Sequence, residues 1–245
     1  MSSAMCGRFV SSSTPDELAR YFDAQPPAEA TIEPNYNVAP TTDVFVVLED
    51  GGIRRLARHH WGLVPFWAKD PSVGNRMINA RAEGLASKNA YRKAYRSRRC
   101  IVPVDGFYEW KKIPGQRTKQ PYFIHRPDDE PMALAGLWEE WRAPGGGGDE
   151  REVLRSTTIV TTTPNEPMSA VHDRMPVILP ANAWAEWLDP DNADVETLGR
   201  LLVPAPPEII SMHPVSTEVG NVRNRGEHLI EAVPEPAPSL LDPDT

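Results

Sequence analysis

The sequence predicts an α+β fold, a single domain with a mainly antiparallel, barrel-like β core and peripheral helices. Two observations lead there. Short apolar runs rich in Val, Ile, Thr and aromatic residues recur along the chain, and the helical patterns between them are few and short. Regular strand–helix alternation is absent, which excludes a doubly wound parallel sheet. The 245 residues, 40% of them apolar, suffice for one large core. No internal repeat or long linker divides the chain.

The elements follow in order. Thr14-Pro15-Asp16-Glu17 reads as a helix start, with Thr14 as N-cap, Pro15 at the first helical position and Glu17 completing a capping box. That helix is expected to run to about Ala24, where Gln25-Pro26-Pro27 stops it. PNYNVAPTT reads as a Pro- and Asn-rich loop before a strand at 44–48. Asp50-Gly51-Gly52 is a turn, and 53–61 is the returning strand. WGLVPFWAKDP is an aromatic loop over 61–71, and 82–98 has a helical pattern weakened by Gly84. Strands are expected at 100–104, 122–124, 132–138, 157–162 and 176–179, with a flexible hairpin tip at 145–148. Short helices are expected at 182–188 and 195–202. Residues 1–5 carry no pattern, and the Pro-rich acidic tail from 234 to 245 is expected to be disordered.

Composition narrows the function classes. Cys6 and Cys100 cannot build a disulfide framework, and no CxxC spacing exists. The histidines (His59, His60, His125, His213 and His228 among them) show no ligand spacing, so neither a metal nor a cofactor is expected. There is no signal-peptide pattern and no apolar run long enough to cross a bilayer. The expectation is an intracellular, cytoplasmic monomer with reduced thiols and no membrane partner. A net charge of −8 argues against a general nucleic-acid coat. The charges are segregated, however: Asp128-Asp129-Glu130, Asp149-Glu150 and the tail are acidic, whereas 88–99 is basic.

Met5-Cys6-Gly7-Arg8-Phe9 is the sharpest motif. A cysteine at a mature N-terminus carries an amine and a thiol on adjacent carbons, and that pair closes a thiazolidine ring on an aldehyde. An α-amino group has a pKa of about 7.7–8.0, so part of it is neutral at cellular pH, unlike lysine. Exposing it requires losing residues 1–5, by initiation at Met5 or by self-cleavage. The alternative is a small buried hydrophobe.

Further candidates are less sharp. In VDGFYEWKK, Glu109 lies among Phe107, Tyr108 and Trp110; an apolar setting would raise its pKa and suit it to proton transfer. It reads equally as a solvent-facing glutamate paired with Lys111, although alternation puts Phe107, Glu109 and Lys111 on one face. AVHDRMPVIL offers His172 as acid or base and Arg174 as a phosphate holder, against a purely structural histidine. Asn79-Ala80-Arg81 places an amide and a guanidinium on one face of an extended stretch. Trp61, Phe66 and Trp67 suit a core or a stacking platform for unpaired bases. KNAYRKAYRSRR interleaves tyrosines with six basic side chains, as either a nucleic-acid surface or a solvated helix face.

Together, MCGRF, YNVAP, WGLVPFW, INAR, GFYEW, HDRMP and HPVSTEVGNVRN resemble the SOS-response-associated peptidase family, the abasic-site-processing proteins, over residues 5–233. The resemblance implies a domain over 6–233 with its terminal cysteine at the floor of a positively charged cleft. It also implies covalent capture of abasic sites in single-stranded DNA through a thiazolidine. By motif, the nucleophile falls on Cys6, the active-site asparagine on Asn79, the glutamate on Glu109 and the histidine on His172. Phosphate-holding arginines fall on Arg8, Arg81 and Arg174, an aromatic beside the DNA on Trp67, and a hydroxyl near the lesion on Thr161. Two other readings stand beside this one: a thiol peptidase acting at least on its own leader, and a non-covalent reader of modified bases in which Cys6 only packs.

Overall fold

The turn at Asp50-Gly51-Gly52 seeds the core in the computed structural model, which describes residues 6–27, 32–144 and 153–235. Gly51 and Gly52 have φ of 58° and 76°, a left-handed conformation that suits a tight hairpin and that glycine adopts freely. The turn joins β3 (Asp43–Asp50) to β4 (Ile53–Trp61), paired from Asp43↔His60 to Asp50↔Ile53.

Three more strands close this hairpin into a ring. β4 runs parallel to β10 (Val153–Thr162), and β10 is antiparallel to β9 (Met132–Arg142). β9 pairs with β6 (Arg99–Val104), and β6 returns to β3 through Val47↔Ile101. Closure leaves no free edge within the ring. β5 (Asn79–Arg81) and β11 (Met175–Pro176) add to β10 outside it.

A second, antiparallel sheet lies against the barrel in the order β12 (Ser211–Pro214), β8 (Gln120–His125), β7 (Gly106–Lys111), β1 (Phe9–Ser11), β2 (Asn35–Val38). Its residues alternate between two cores, as the pleat requires. Phe9, Phe107, Tyr122 and Ile124 join the barrel-facing core with Cys6, Trp61 and Leu134. Val10, Tyr108 and Phe123 face the other way, onto Val215, Val219 and Leu229. Each large apolar side chain sunk this way contributes about 1.5–3 kcal/mol.

The helices cover the barrel. α1 (Pro15–Tyr21) begins as expected: the Thr14 hydroxyl accepts from the Glu17 N–H, and the Glu17 carboxylate accepts from the Thr14 N–H. It ends at Tyr21, three residues short of Ala24. α2 (Arg92–Ser97), α3 (Glu166–Ser169), α4 (Trp184–Leu188) and α5 (Val195–Arg200) are short. α2, α4 and α5 meet around Tyr95, Trp187 and Leu198 in one core.

The structure corrects several expectations. The helix expected over 82–98 is a 3₁₀ turn at Ala82–Gly84 and, after a break, α2 alone. Its basic C-terminal end is partly internal. Buried Arg99 donates to the carbonyls of Trp187 (2.6 Å), Tyr95 (2.7 Å) and Asp189, and Arg98 pairs with Glu139. The PNYNVAP loop contains β2, and the strand expected over 176–179 is two residues plus a bridge from Ile178 to Leu134. The leader 1–5, the tip 145–148 and residues 236–245 lie outside the described residues. Among those described, no helix is long and apolar enough to cross a membrane.

Candidate active site

β1 and β7 bring Cys6 to Glu109. They pair through Phe9↔Phe107 and Val10↔Gly106, and Asp105 fastens the end of β1 by accepting from the N–H groups of Ser12 (2.5 Å) and Ser13 (2.9 Å). Cys6 is fully buried, and its N–H donates to Glu109 Oε1 at 2.5 Å. Glu109 follows Phe107 on one face of β7, and both faces of the strand are buried there, Tyr108 on the other. Cys6 has φ of 46°, a left-handed conformation that is uncommon for a residue with a side chain.

Burial sets the electrostatics here. It raises the Glu109 carboxyl to about 7, outweighing the Cys6 and Trp110 N–H groups and the Lys119 ammonium, which pull it down. The Cys6 thiol is pushed well above its usual value, first by burial and then by the Glu109 charge. The thiol is therefore neutral while the carboxyl is poised near neutrality.

The HDRMP segment approaches from the barrel side. The Asn165 side chain caps α3 by accepting from the Met168 N–H (3.1 Å) and donates to the Ala205 carbonyl (3.0 Å). The His172 N–H then donates to the Met168 carbonyl. Burial lowers the His172 pKa, and Lys119 adds to that effect against Asp173. The ring is thus neutral at pH 7. Its Nδ1 lies 3.2 Å from the Arg174 backbone nitrogen and 3.0 Å from Asp173 Oδ1. Glu109 and His172 share a neighbourhood, since Lys119 and Asp173 bear on both.

A second strip runs along β5 and β10. Asn79 and Arg81 stand in register with Ile159 and Thr161. Arg174 donates to the Thr161 carbonyl (2.7 Å) and forms a two-pronged pair with Glu83 (2.6 and 3.0 Å). Arg8 belongs to a third network: its Nη1 donates to Asn37 Oδ1 (2.8 Å) and to the Val219 carbonyl (2.9 Å). Trp67 is 54% exposed on the aromatic loop. It lines a groove with Phe66, Asn89, Arg92 and Lys93.

Glycines hold that loop in place. Gly62 has φ of 138°, and a Cβ on it would lie 2.6 Å from the Gly74 carbonyl oxygen. This close approach allows the Gly62 N–H to reach the Thr157 carbonyl (2.9 Å) and the Leu63 N–H to reach that of Met77 (3.1 Å). Trp141 Nε1 ties the far end to the Ala68 carbonyl at 2.7 Å.

Three residues escaped the sequence reading. Buried Asn37 donates to the carbonyls of Val219, Asn221 and Asn224, tying YNVAP to GNVRN; a polar residue inside a quoted motif was the available signal. Asp105 stood inside VDGFYEWKK in the same way. Tyr122 pairs across strands with Glu109, and its hydroxyl donates to Glu235 at 2.7 Å. Only the β7–β8 register reveals that proximity. Among the described residues, no group of three His, Cys, Asp or Glu side chains could hold a metal ion.

A closed mixed barrel backed by an antiparallel sheet, with a cysteine and a raised carboxyl buried between them, defines a class of fold and site. The chain belongs to the SOS response associated peptidase family, whose model matches residues 5–222. It is 42% identical over 229 residues to the abasic site processing protein YoqW of Bacillus subtilis, covering 93% of this chain and all of that one. It is 31% identical to the abasic site processing protein HMCES of Xenopus tropicalis, covering 94% of this chain and 78% of that one. A crystal structure of a Bacteroides thetaiotaomicron protein matches with a TM-score of 0.81 at 22% identity, over 93% of this chain and all of that one.

Proposed function

We propose that this protein captures abasic sites in single-stranded DNA covalently, through a thiazolidine between a freed Cys6 and the ring-opened deoxyribose. The names of its relatives point to abasic sites. The observation that carries the chemistry is the contact between the Cys6 nitrogen and Glu109, a carboxyl that burial raises to about 7 while that nitrogen is still a peptide N–H.

The domain is taken as residues 6–233, with 1–5 removed before reaction. Cleavage before Cys6 abolishes the left-handed φ there, because an N-terminal residue has no such torsion. The lesion is mostly a closed hemiacetal. Neutral His172 takes the proton of the C1′ hydroxyl and returns it to the ring oxygen as the bond between C1′ and that oxygen breaks, freeing the aldehyde and leaving the imidazole neutral. The Glu109 carboxylate takes a proton from the Cys6 ammonium, and the neutral amine adds to the carbonyl carbon. Protonated Glu109 then assists the departing hydroxyl, so that water leaves and an imine forms. The neutral thiol adds across the imine, its sulfur to carbon and its proton to nitrogen. The sum is aldehyde plus aminothiol giving thiazolidine plus one water. Such proton transfers each contribute about 10²–10⁴-fold. Asn79 holds the lesion, Arg8, Arg81 and Arg174 hold phosphates, Thr161 lies near the sugar, and Trp67 stacks beside the strand.

A thiol peptidase needs a thiolate, and burial of Cys6 beside Glu109 disfavours one. The test is incubation with an abasic single strand followed by denaturing electrophoresis. The parent should form a crosslink, and Cys6→Ala should form none. A crosslink that survives in Cys6→Ala overturns the reading.

A further inference from the structure

β5 leads directly into the Ala82–Gly84 turn, which carries Glu83 back toward the residue before β11. There its carboxylate fills the guanidinium fork of Arg174, with Oε1 on Nη1 at 2.6 Å and Oε2 on Nη2 at 3.0 Å. Arg174 is fixed from behind: Nη2 also donates to the Thr161 carbonyl at 2.7 Å, and the side chain is only 13% exposed. Its Nε is buried and lacks a described partner, so the two Nη groups carry the bonds the guanidinium makes. Glu83 stands the other way, with 57% of its side chain open to solvent. The hydrogen bonds from Arg174, and more weakly the charge of Arg81, hold the Glu83 carboxyl below its usual value, so it is ionised at neutral pH. Arg8, by contrast, donates to neutral acceptors, the Asn37 amide and the Val219 carbonyl.

We propose that Glu83 is a built-in stand-in for phosphate: it occupies the Arg174 fork in the free protein and yields that place to a phosphate of the incoming strand. The inference rests on the assignment of Arg174 to a phosphate under Proposed function, and adds the residue that decides how readily that phosphate is taken. A carboxylate and a phosphate present the same pair of oxygens to a planar fork, so one can replace the other without moving the arginine. The asymmetry of burial says which partner leaves. An exposed carboxylate on a three-residue turn returns to water at little cost, whereas the guanidinium stays on its carbonyl. Glu83 thereby keeps a partly buried cation paired until a strand arrives. It also sets a threshold that a lone anion or a weakly held strand does not pass. Its effect falls on the reversible step before capture.

Reversible binding of a fluorescent ten-nucleotide oligothymidylate, which has no aldehyde, reads this step alone. Glu83→Gln keeps the shape of the side chain and removes its charge. It should bind about fivefold more tightly, with a log–log salt slope steeper by about 0.7. If Glu83 only orients Arg174, the same substitution loosens the arginine and weakens binding, so the sign separates the two roles. Asp50→Asn is the control, since it also removes a carboxylate paired with an arginine, Arg55 at 3.9 Å. That pair lies where β3 turns into β4, the end of the barrel away from Thr161, and the control should bind as the parent does. Inorganic phosphate at matched ionic strength should raise the thermal midpoint of Glu83→Gln by about 2 °C more than that of the parent, because only the variant offers an empty fork. The proposal is overturned if Glu83→Gln binds like the parent or more weakly, if Asp50→Asn gains as much, or if phosphate treats variant and parent alike. A parent that crosslinks abasic strands while Glu83→Gln binds no tighter sinks the stand-in and keeps capture. A tighter Glu83→Gln whose parent never crosslinks does the reverse.

Discussion

Glu109 carries two consequences that can be separated by experiment. A carboxyl whose folded pKa stands near 7, against 4.5 ordinarily, stabilises the fold fully only below the lower value. That contribution is lost as pH rises through 7, at a cost on the order of 3 kcal/mol when fully ionised. Glu109→Gln should therefore raise the thermal midpoint at pH 8 and change it little at pH 4. The same variant should slow crosslinking by about 10²-fold or more, because it can neither take nor give a proton. Parent-like rates in Glu109→Gln would remove it from the mechanism. Cys6 stood out in its motif, whereas alternation left Glu109 open between a buried proton-transfer group and a solvent-facing partner of Lys111. Tyr122 was not, because a cross-strand partner depends on register between segments far apart in sequence.

Among the elements, the aromatic loop shows how a motif becomes geometry. Gly62 and Gly74 meet backbone to backbone, so Gly62→Ala drives a methyl group onto a carbonyl oxygen that cannot retreat, and does so at a φ alanine avoids. The expected cost is about 2–4 kcal/mol, read as a lower denaturant midpoint, with loss of DNA binding as Trp67 shifts. An unchanged midpoint would show that the loop is not held this way. α1 was read correctly to its N-cap because capping chemistry is local, and Thr14→Ala should cost about 1 kcal/mol. The segment 82–98 misled because its apolar spacing serves two short turns packed on different neighbours. Propensity alone does not report such a break. β1, β2 and β12 are three or four residues long, too short for periodicity to announce.

Across the whole molecule, the barrel carries an acid-sensitive weakness. His59 is buried in β4 with both ring nitrogens lacking a described partner, and burial depresses its pKa to about 3. A depressed pKa stabilises the fold above 6.5, and that stability is lost as pH falls toward 3, in amount roughly 4 kcal/mol. Unfolding midpoints from pH 7 to pH 4 should therefore drop, and His59→Leu should flatten the decline. Identical acid profiles would refute the assignment. The net charge of −8 sets a second expectation. Reversible binding to intact strands should weaken steeply with salt, whereas a formed adduct should persist at about 1 M.

The most direct test of the account is the intact mass of the purified protein before and after exposure to an abasic single strand. The account predicts a reactive species that begins at Cys6 and gains the mass of the strand less one water, with no gain once its terminal amine has been acetylated. An adduct on a chain still carrying Met5, or on the acetylated form, would contradict it.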